Sequence, residues 1–133
     1  MSEPKKNHSS PAGKQRLIYV VDDEPMLLEL ATVILEPQGF VVKTFRDPEL
    51  AFESFSQATP RPDVIVSDFA MHSMNGMQLT ERLRKADPGV KILLVSGTVG
   101  EEIFRNAPQK PNKFLAKPYQ AVQLIDAIRS LLG

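Results

Sequence analysis

Five side chains that could bind a cation and a phosphoryl group come directly after short apolar segments of the sequence. They are Asp22, Asp23, Asp68, Ser96 and Lys117. Two negative charges about 4 Å apart repel by roughly 4 kcal/mol at an effective dielectric constant near 20, so three carboxylates that meet at one place need a cation. Oxygen ligands without His or Cys suit a hard ion such as Mg²⁺.

A metal ion held by carboxylates beside a lysine and a serine is suited to phosphoryl chemistry. The metal and Lys117 neutralise phosphoryl oxygens while one carboxylate attacks as a nucleophile and forms an acyl phosphate. Ser96 can donate a hydrogen bond to another of these oxygens. Taken singly, each Asp or Ser could instead be a helix N-cap, which is a common role for these residues after a strand.

The apolar segments are predicted to be strands. They are short and almost continuously apolar, which is typical of strands covered on both faces of a parallel sheet. The predicted strands are Leu17–Val21, Phe40–Phe45, Val64–Ser67, Lys91–Val95 and Lys113–Ala116.

Helical patterns lie between these strands. The first is predicted from an apolar stripe formed by Leu27, Leu30, Ala31 and Ile34. Further helices are predicted from Pro48 to about Gln57, around Leu79–Ala86 and over Ala121–Leu132. The fourth helix, near Glu101–Asn106, is limited to one or two turns because prolines follow it closely.

Alternating strands and helices predict a three-layer α/β/α sandwich with a five-stranded parallel sheet in the order 2-1-3-4-5. The carboxyl ends of all strands then share one edge, where the five side chains meet. A flavin phosphate site is disfavoured there, because the loop at Asp22-Asp23-Glu24 repels phosphate. The sequence contains no Walker A or Gly-x-Gly-x-x-Gly motif.

Charge and composition narrow the classes of function. Residues 1–16 hold four of the 16 basic and one of the 16 acidic side chains, which leaves 12 basic and 15 acidic ones in the remainder. We therefore expect no nucleic-acid partner. Residues 1–15 are predicted to be a disordered polar arm and residues 16–133 a folded domain. With no cysteine, no signal sequence and no apolar run of membrane-spanning length, a cytoplasmic protein without a membrane partner is expected.

Four segments in this order resemble the receiver domain of two-component response regulators, and the resemblance covers residues 17–133. The segments are Val20–Glu24, Asp68–Gly76, Ser96-Gly97 and Phe114–Pro118. The resemblance implies a flavodoxin-like receiver fold and phosphorylation on Asp68 by a histidine kinase or phosphotransfer protein.

The resemblance also implies the roles of the other site residues. Asp23, Asp68 and the carbonyl of Ala70 would bind Mg²⁺ or Mn²⁺ directly, and Asp22 would help through water. Lys117 would pair with the acceptor carboxylate or the phosphoryl group, after a cis Lys117–Pro118 bond. Ser96 would bind a phosphoryl oxygen.

A surface switch is implied by the same resemblance. Movement of the Ser96 loop would draw Phe114 inward and bias an existing equilibrium. Phe114 lacks the hydroxyl of the tyrosine that is common at this position, so its readout would rest on packing. The expected protein is a stand-alone receiver that signals to an unknown downstream protein. It would phosphorylate and dephosphorylate itself without being a turnover enzyme.

This sequence departs from the family pattern at several positions. His72 stands where proline is common, Asn75 where aspartate is frequent, and Gly97 where alanine is frequent. An exposed histidine without a role is the favoured interpretation of His72. The weak fourth helix puts the usual receiver dimer in doubt.

Two other functions remain open from the residues alone. One is a receiver-like adaptor that does not use phosphate, although Asp68, Ser96 and Lys117 are all present. The other is a metal-dependent phosphatase that forms an aspartyl phosphate. Such enzymes typically need a second carboxylate two residues after the nucleophile, and here that residue is Ala70.

Overall fold

A five-stranded parallel sheet forms the centre of the computed structural model, which describes residues 15–133. The predicted arm of residues 1–15 lies outside the described residues, apart from Gln15. The strands are β1 (Leu17–Val21), β2 (Val41–Phe45), β3 (Val64–Asp68), β4 (Ile92–Ser96) and β5 (Lys113–Ala116). Their order is β2-β1-β3-β4-β5, with every neighbouring pair parallel, which confirms the predicted topology.

Four α-helices cover the two faces of this sheet. They are α1 (Pro25–Leu35), α2 (Pro48–Gln57), α3 (Gly76–Ala86) and α4 (Ala121–Leu132). Alternate strand residues point to opposite faces, so Ile18 and Val20 pack with α1 and α4, while Tyr19 and Val21 pack with α2 and α3. None of the helices in residues 15–133 is long and apolar enough to cross a membrane.

The core-facing side of α1 differs from the predicted stripe. Leu28, Ala31 and Leu35 are buried against the sheet, whereas Leu30 is 46% exposed and Leu27 is only partly buried. The prediction is confirmed for Ala31 and Ile34, which lie in or against the core, and wrong for Leu30, because apolar residues surround most of this helix. Their spacing therefore does not select one face.

The fourth predicted helix is a single turn of 3₁₀ helix at Glu101–Phe104. Five helices were expected, and in this part of the chain the structure has no α-helix between β4 and β5. Pro108 and Pro111 follow the 3₁₀ turn, and a proline lacks the N–H group that a continuing helix needs. The connection then reaches β5 as irregular chain.

Candidate functional site at the carboxyl edge of the sheet

The carboxylates of Asp22, Asp23 and Asp68 meet at the edge where β1 and β3 end. Asp22 and Asp23 follow β1, Asp68 is the last residue of β3, and oxygen atoms from all three lie within 4.8 Å of one another. Asp22 is 6% exposed and Asp68 is 8% exposed. Parallel pairing of β1 with β3 brings together residues that are far apart in sequence, as predicted.

Lys117 supplies the positive charge of this cluster. Its Nζ atom lies 2.9 Å from Oδ1 of Asp68 and 3.2 Å from Oδ2 of Asp22. The backbone N–H of Lys117 donates to the carbonyl of Ser96 at 2.9 Å, which fixes the chain just after β5. The Lys117–Pro118 peptide bond is cis, as expected from the resemblance.

The electrostatics of the cluster show an excess of negative charge. Burial raises the pKa of Asp68, the charges of Asp22 and Asp23 raise it further, and Lys117 opposes this only in part. Burial alone lowers the pKa of Lys117, but Asp68 and Asp22 outweigh it and hold that pKa above its ordinary value. One ammonium therefore faces three carboxylates, and a further cation is favoured there.

Asp22 differs from the other two carboxylates in how its oxygens are engaged. Its Oδ1 accepts a hydrogen bond from the backbone N–H of Glu24 at 2.9 Å, and its Oδ2 accepts one from Lys117 at 3.2 Å. Asp22 thus accepts one hydrogen bond that stabilises the turn at the start of α1 and a second one from the ammonium of Lys117. Both of its oxygens already have a donor.

The loop after Asp68 is closely packed at Gly76. The N–H of Gly76 donates to the carbonyl of Phe69 at 2.8 Å, which closes the loop at the start of α3. A Cβ atom on Gly76 would lie 2.5 Å from Cδ1 of Leu94 and 2.6 Å from the backbone oxygen of Asp68. Only glycine fits this approach without moving Asp68. Ala70, whose carbonyl is the predicted metal ligand, is exposed in this loop.

Asn75 has a structural role in the same loop. Its side chain accepts a hydrogen bond from the backbone N–H of Gln78, and the Gln78 side chain accepts one from the backbone of Asn75. These two hydrogen bonds form a capping box at the start of α3. Asparagine is a favoured N-cap residue, as aspartate is, so the cap is kept although Asn75 stands where aspartate is frequent.

Ser96 lies at the end of β4 with its hydroxyl turned toward its own loop. Its Oγ accepts hydrogen bonds from the N–H groups of Thr98 and Val99, both at 3.1 Å. Within residues 15–133, Ser96 makes no side-chain hydrogen bond to Asp68 or Lys117. Ser96 lies at the predicted edge of the sheet. In this structure its hydroxyl stabilises the loop that follows β4.

Phe114 is half-buried in β5, beside Leu94 of β4. Its ring packs against that of Phe104 from the 3₁₀ turn, with centroids 6.1 Å apart and planes tilted by 45°. The aromatic pair thus joins β5 to the irregular β4–β5 connection. The sequence did not predict Phe104 as a partner.

His72 is the residue near the cluster that the sequence interpretation missed. Its Nδ1 lies 3.0 Å from Oδ2 of Asp23, although the His72 side chain is 95% exposed. The sequence signal for a histidine near the cluster was that His72 lies four residues after Asp68. Without the backbone path of the loop, that spacing does not show toward which acidic residue the imidazole turns.

An apolar cavity of about 360 Å³ lies next to Lys117. Its lining comes from α1, the β4 loop and the segment after β5: Leu27, Leu30, Gly97, Lys117, Pro118 and Tyr119. A Cβ on Gly97 would lie 3.3 Å from Cβ of Lys117, so glycine at this position leaves room beside the lysine stem.

Comparison with known proteins agrees with this architecture. The family model described as "Response regulator receiver domain" matches residues 18–129. The probable transcriptional regulatory protein TcrX of Mycobacterium tuberculosis is 28% identical over 121 residues, which span 90% of this chain and 51% of TcrX. The chain thus spans about half the length of this curated relative.

Two solved structures have the same fold. A response regulator receiver protein from Sinorhizobium medicae has a TM-score of 0.79 at 30% identity, covering 90% of this chain and 95% of its own. The response regulator TrrA of Thermotoga maritima, solved in complex with Mg²⁺-BeF, has a TM-score of 0.78 at 24% identity. That match covers 89% of this chain and all of TrrA. The chain therefore belongs to the response regulator receiver domain family.

Proposed function

We propose that this chain is a phosphoacceptor in a two-component phosphorelay and that Asp68 receives the phosphoryl group. The observation that carries this proposal is the contact of Lys117 with both Asp68 and Asp22, with Asp23 beside them. This arrangement supplies a nucleophilic carboxylate, a fixed positive charge and further oxygen ligands within one small volume.

In the proposed reaction, a carboxylate oxygen of Asp68 attacks the phosphorus atom of a phosphohistidine on the donor protein. The new O–P bond makes an acyl phosphate, the P–N bond breaks, and the electron pair stays on the imidazole nitrogen, which takes up a proton from solvent. Lys117 remains next to Asp68 and offsets negative charge on the transferring group as a compact point charge. Hydrolysis of the acyl phosphate by water returns Asp68 to its carboxylate form.

The donor set of the cluster fits a hard divalent cation, Mg²⁺ or Mn²⁺. Asp23, Asp68 and the carbonyl of Ala70 would hold it directly, and Asp22 would act through water, since both Asp22 oxygens already accept hydrogen bonds. The bound ion would neutralise oxygens of the phosphoryl group. The Mg²⁺-BeF complex of TrrA, which has the same fold, supports this assignment.

Ser96 and Phe114 are the proposed switch. The Ser96 hydroxyl would turn to donate its O–H to a phosphoryl oxygen at Asp68, and this rotation would take Oγ away from the N–H groups of Thr98 and Val99, which now donate to it. Release of this loop would loosen the packing of Phe104 on Phe114 and let Phe114 turn inward. Since Phe114 has no hydroxyl, a partner protein would detect its inward turn only through the altered packing of the ring.

The proposed partners are a histidine kinase or phosphotransfer protein as donor and a further protein as target. The acidic balance of residues 17–133 argues against nucleic acid as a direct partner of this domain. The cytoplasmic location stays a prediction from the sequence. We propose no turnover reaction beyond phosphorylation and hydrolysis at Asp68.

The test is intact-mass measurement after incubation with acetyl phosphate and Mg²⁺. The wild-type chain should gain one phosphoryl group, and the gain should be absent in Asp68→Ala and after chelation of the metal. Asp63→Ala is not a suitable control, because Asp63 accepts from the backbone of Leu17. Asp126→Ala, an exposed change on α4, is the matched control and should be modified normally. A folded, Mg²⁺-binding protein that stays unmodified would instead be the phosphate-independent adaptor.

A further inference from the structure

The apolar cavity of about 360 Å³ lies beside the acidic cluster and outside the set of proposed metal ligands. Leu27 and Leu30 of α1 form one wall, Gly97 of the β4 loop forms a second, and residues 117–119 after β5 form the third. Three separate elements of the fold therefore enclose it. Its volume is that of a small-molecule site, and it suits one aromatic ring or branched chain rather than a helix of a partner protein.

The two leucines of this cavity are apolar residues that the core leaves out. Leu30 is 46% exposed and Leu27 is half-buried, whereas Leu28 of the same helix is buried against the sheet. Leu27 and Leu30 are three residues apart and therefore lie on one face of α1. Exposed leucines that line one concave surface indicate a binding site, which single leucines scattered over a surface do not.

The cavity shares a side chain with the proposed reaction centre. Among the lining residues that the structure describes, Lys117 is the one with a charge, and its Nζ lies 2.9 Å from Oδ1 of Asp68. Burial raises the pKa of the Tyr119 phenol, the charge of Lys117 opposes this, and the charges of Asp22 and Asp68 add to it. Tyr119 therefore presents a neutral hydroxyl close to the cluster. The cavity thus combines an apolar lining with one positive group.

This combination suits a ligand with an anionic end and an apolar body. Three carboxylates that face one ammonium leave two negative charges, which a divalent cation would offset. An anionic group can then approach Lys117, which acts as a compact point charge for phosphoryl oxygens. The apolar body of the same molecule would displace water from Leu27 and Leu30, which is favourable because apolar surface is removed from water.

We propose that the cavity binds the acyl group of a small-molecule phosphodonor, and that Asp68 accepts phosphoryl groups preferentially from acyl phosphates with an aromatic or branched apolar acyl group. This inference rests on the proposed function and names a substrate class for it. A carboxylate oxygen of Asp68 attacks phosphorus, and the bond from phosphorus to the acyl oxygen breaks. The electron pair leaves with the carboxylate product, so the step needs no further reactant.

Gly97 sets the room that is available for the acyl group. A Cβ at this position would lie 3.3 Å from Cβ and 3.9 Å from Cδ of Lys117. A larger residue would therefore fill the cavity beside the lysine stem. Gly97→Val should exclude an aromatic acyl group more strongly than an acetyl group, and Leu30→Ala should remove part of the apolar wall that an aromatic ring contacts.

Intact-mass measurement over time with benzoyl phosphate and with acetyl phosphate, on the full chain in saturating Mg²⁺, tests the proposal. The two donors have the same phosphoryl group and leaving carboxylates of similar basicity, so the ratio of their second-order rate constants reports contacts of the acyl group. Wild type should prefer benzoyl phosphate by about tenfold. Leu30→Ala and Gly97→Val should each lower this ratio by about threefold or more. Leu50→Ala, which truncates an exposed leucine of α2, is the matched control and should keep the wild-type ratio.

Methyl NMR with benzylphosphonate, which cannot transfer a phosphoryl group, measures binding without reaction. In the presence of Mg²⁺ it should shift the methyl signals of Leu27 and Leu30 in wild type, and the shifts should be lost in Gly97→Val. Unshifted signals together with equal rate constants for the two donors would overturn the inference and leave the cavity to side chains of a donor protein.

Leucine signals that respond to protein concentration and not to the phosphonate would also overturn the inference, because a second copy of the chain would then fill the cavity. In both cases, modification of Asp68 by acetyl phosphate would leave the proposed function intact. Failure of both donors to modify a folded, Mg²⁺-binding chain would instead overturn the proposed function, and the inference with it.

Discussion

Lys117 and Asp68 form the closest charged contact of the site, with Nζ 2.9 Å from Oδ1. Lys117 follows β5 and Asp68 ends β3, and β4 lies between these two strands. The contact is therefore a product of the sheet order, which places β3, β4 and β5 side by side with their carboxyl ends at one edge. The proposed phosphorylation, metal binding and switch all depend on the side chains at that edge of the sheet.

Replacing Lys117 with Ala should slow phosphorylation of Asp68 by acetyl phosphate by roughly 100-fold, because a fixed positive charge next to the reacting oxygens is lost. Lys113→Ala is the matched control, since Lys113 is an exposed lysine at the start of β5, the strand that Lys117 follows. Its rate should equal that of wild type when both are followed by intact mass over time. An unchanged rate in Lys117→Ala would remove the lysine from the proposed reaction.

Asp23→Asn should raise the free energy of unfolding in metal-free buffer by about 1 kcal/mol, because one of three crowded negative charges is removed. The same variant should lose most of the stabilisation by Mg²⁺, which is about 2.7 kcal/mol for wild type when free Mg²⁺ exceeds the dissociation constant by about 100-fold. Urea unfolding with chelator and with Mg²⁺ measures both effects. Glu29→Gln, an exposed change on α1, should alter neither. Mg²⁺ stabilisation that survives in Asp23→Asn would place the ion elsewhere.

The sheet and its polar edge were predictable from local patterns. Short, continuously apolar segments gave the strands, and the alternation of strand and helix gave the order that brings Asp22 and Asp68 together. The acidic and basic residues at strand ends then followed from the geometry of parallel sheets. For α1 the spacing did not distinguish Leu28 from Leu30, because the two residues are equally apolar and only packing decides which one is buried.

Gly76→Ala should destabilise the domain by about 2 kcal/mol, because its Cβ would press on Leu94 and on the backbone oxygen of Asp68. Gly89→Ala is the matched control, since a Cβ there would meet no atom closer than 3.6 Å. Its free energy of unfolding should stay within about 0.5 kcal/mol of wild type. Equal urea midpoints for the two variants would contradict the close packing of the loop after Asp68.

Phe114→Ala should keep the wild-type rate of Asp68 phosphorylation and lose the change that phosphorylation produces in the β4–β5 connection. Hydrogen exchange of residues 97–106, measured before and after treatment with acetyl phosphate and Mg²⁺, follows that change. Phe114→Tyr retains an aromatic ring and should respond as wild type does. A wild-type exchange response in Phe114→Ala would make Phe114 a core residue without a switching role.

Contacts between side chains of loops could not be predicted from the sequence. The approach of His72 to Asp23 depends on the left-handed turn at Ser73 and on burial of Met74, and neither is encoded in the spacing of the two residues. The pairing of Phe104 with Phe114 likewise depends on the path of the irregular β4–β5 connection. Regular elements follow from periodicity, whereas these loop contacts follow only from the three-dimensional path of the chain.

The most direct test of the central claim is to locate the phosphoryl group on the chain. Treating the acetyl phosphate product with borohydride reduces an aspartyl phosphate to homoserine, and peptide mass spectrometry then identifies the modified residue. Homoserine is expected at position 68 alone, in the presence of Mg²⁺ and not after chelation. Homoserine at position 22 or 23, or at no position in a folded and phosphodonor-treated protein, would contradict it.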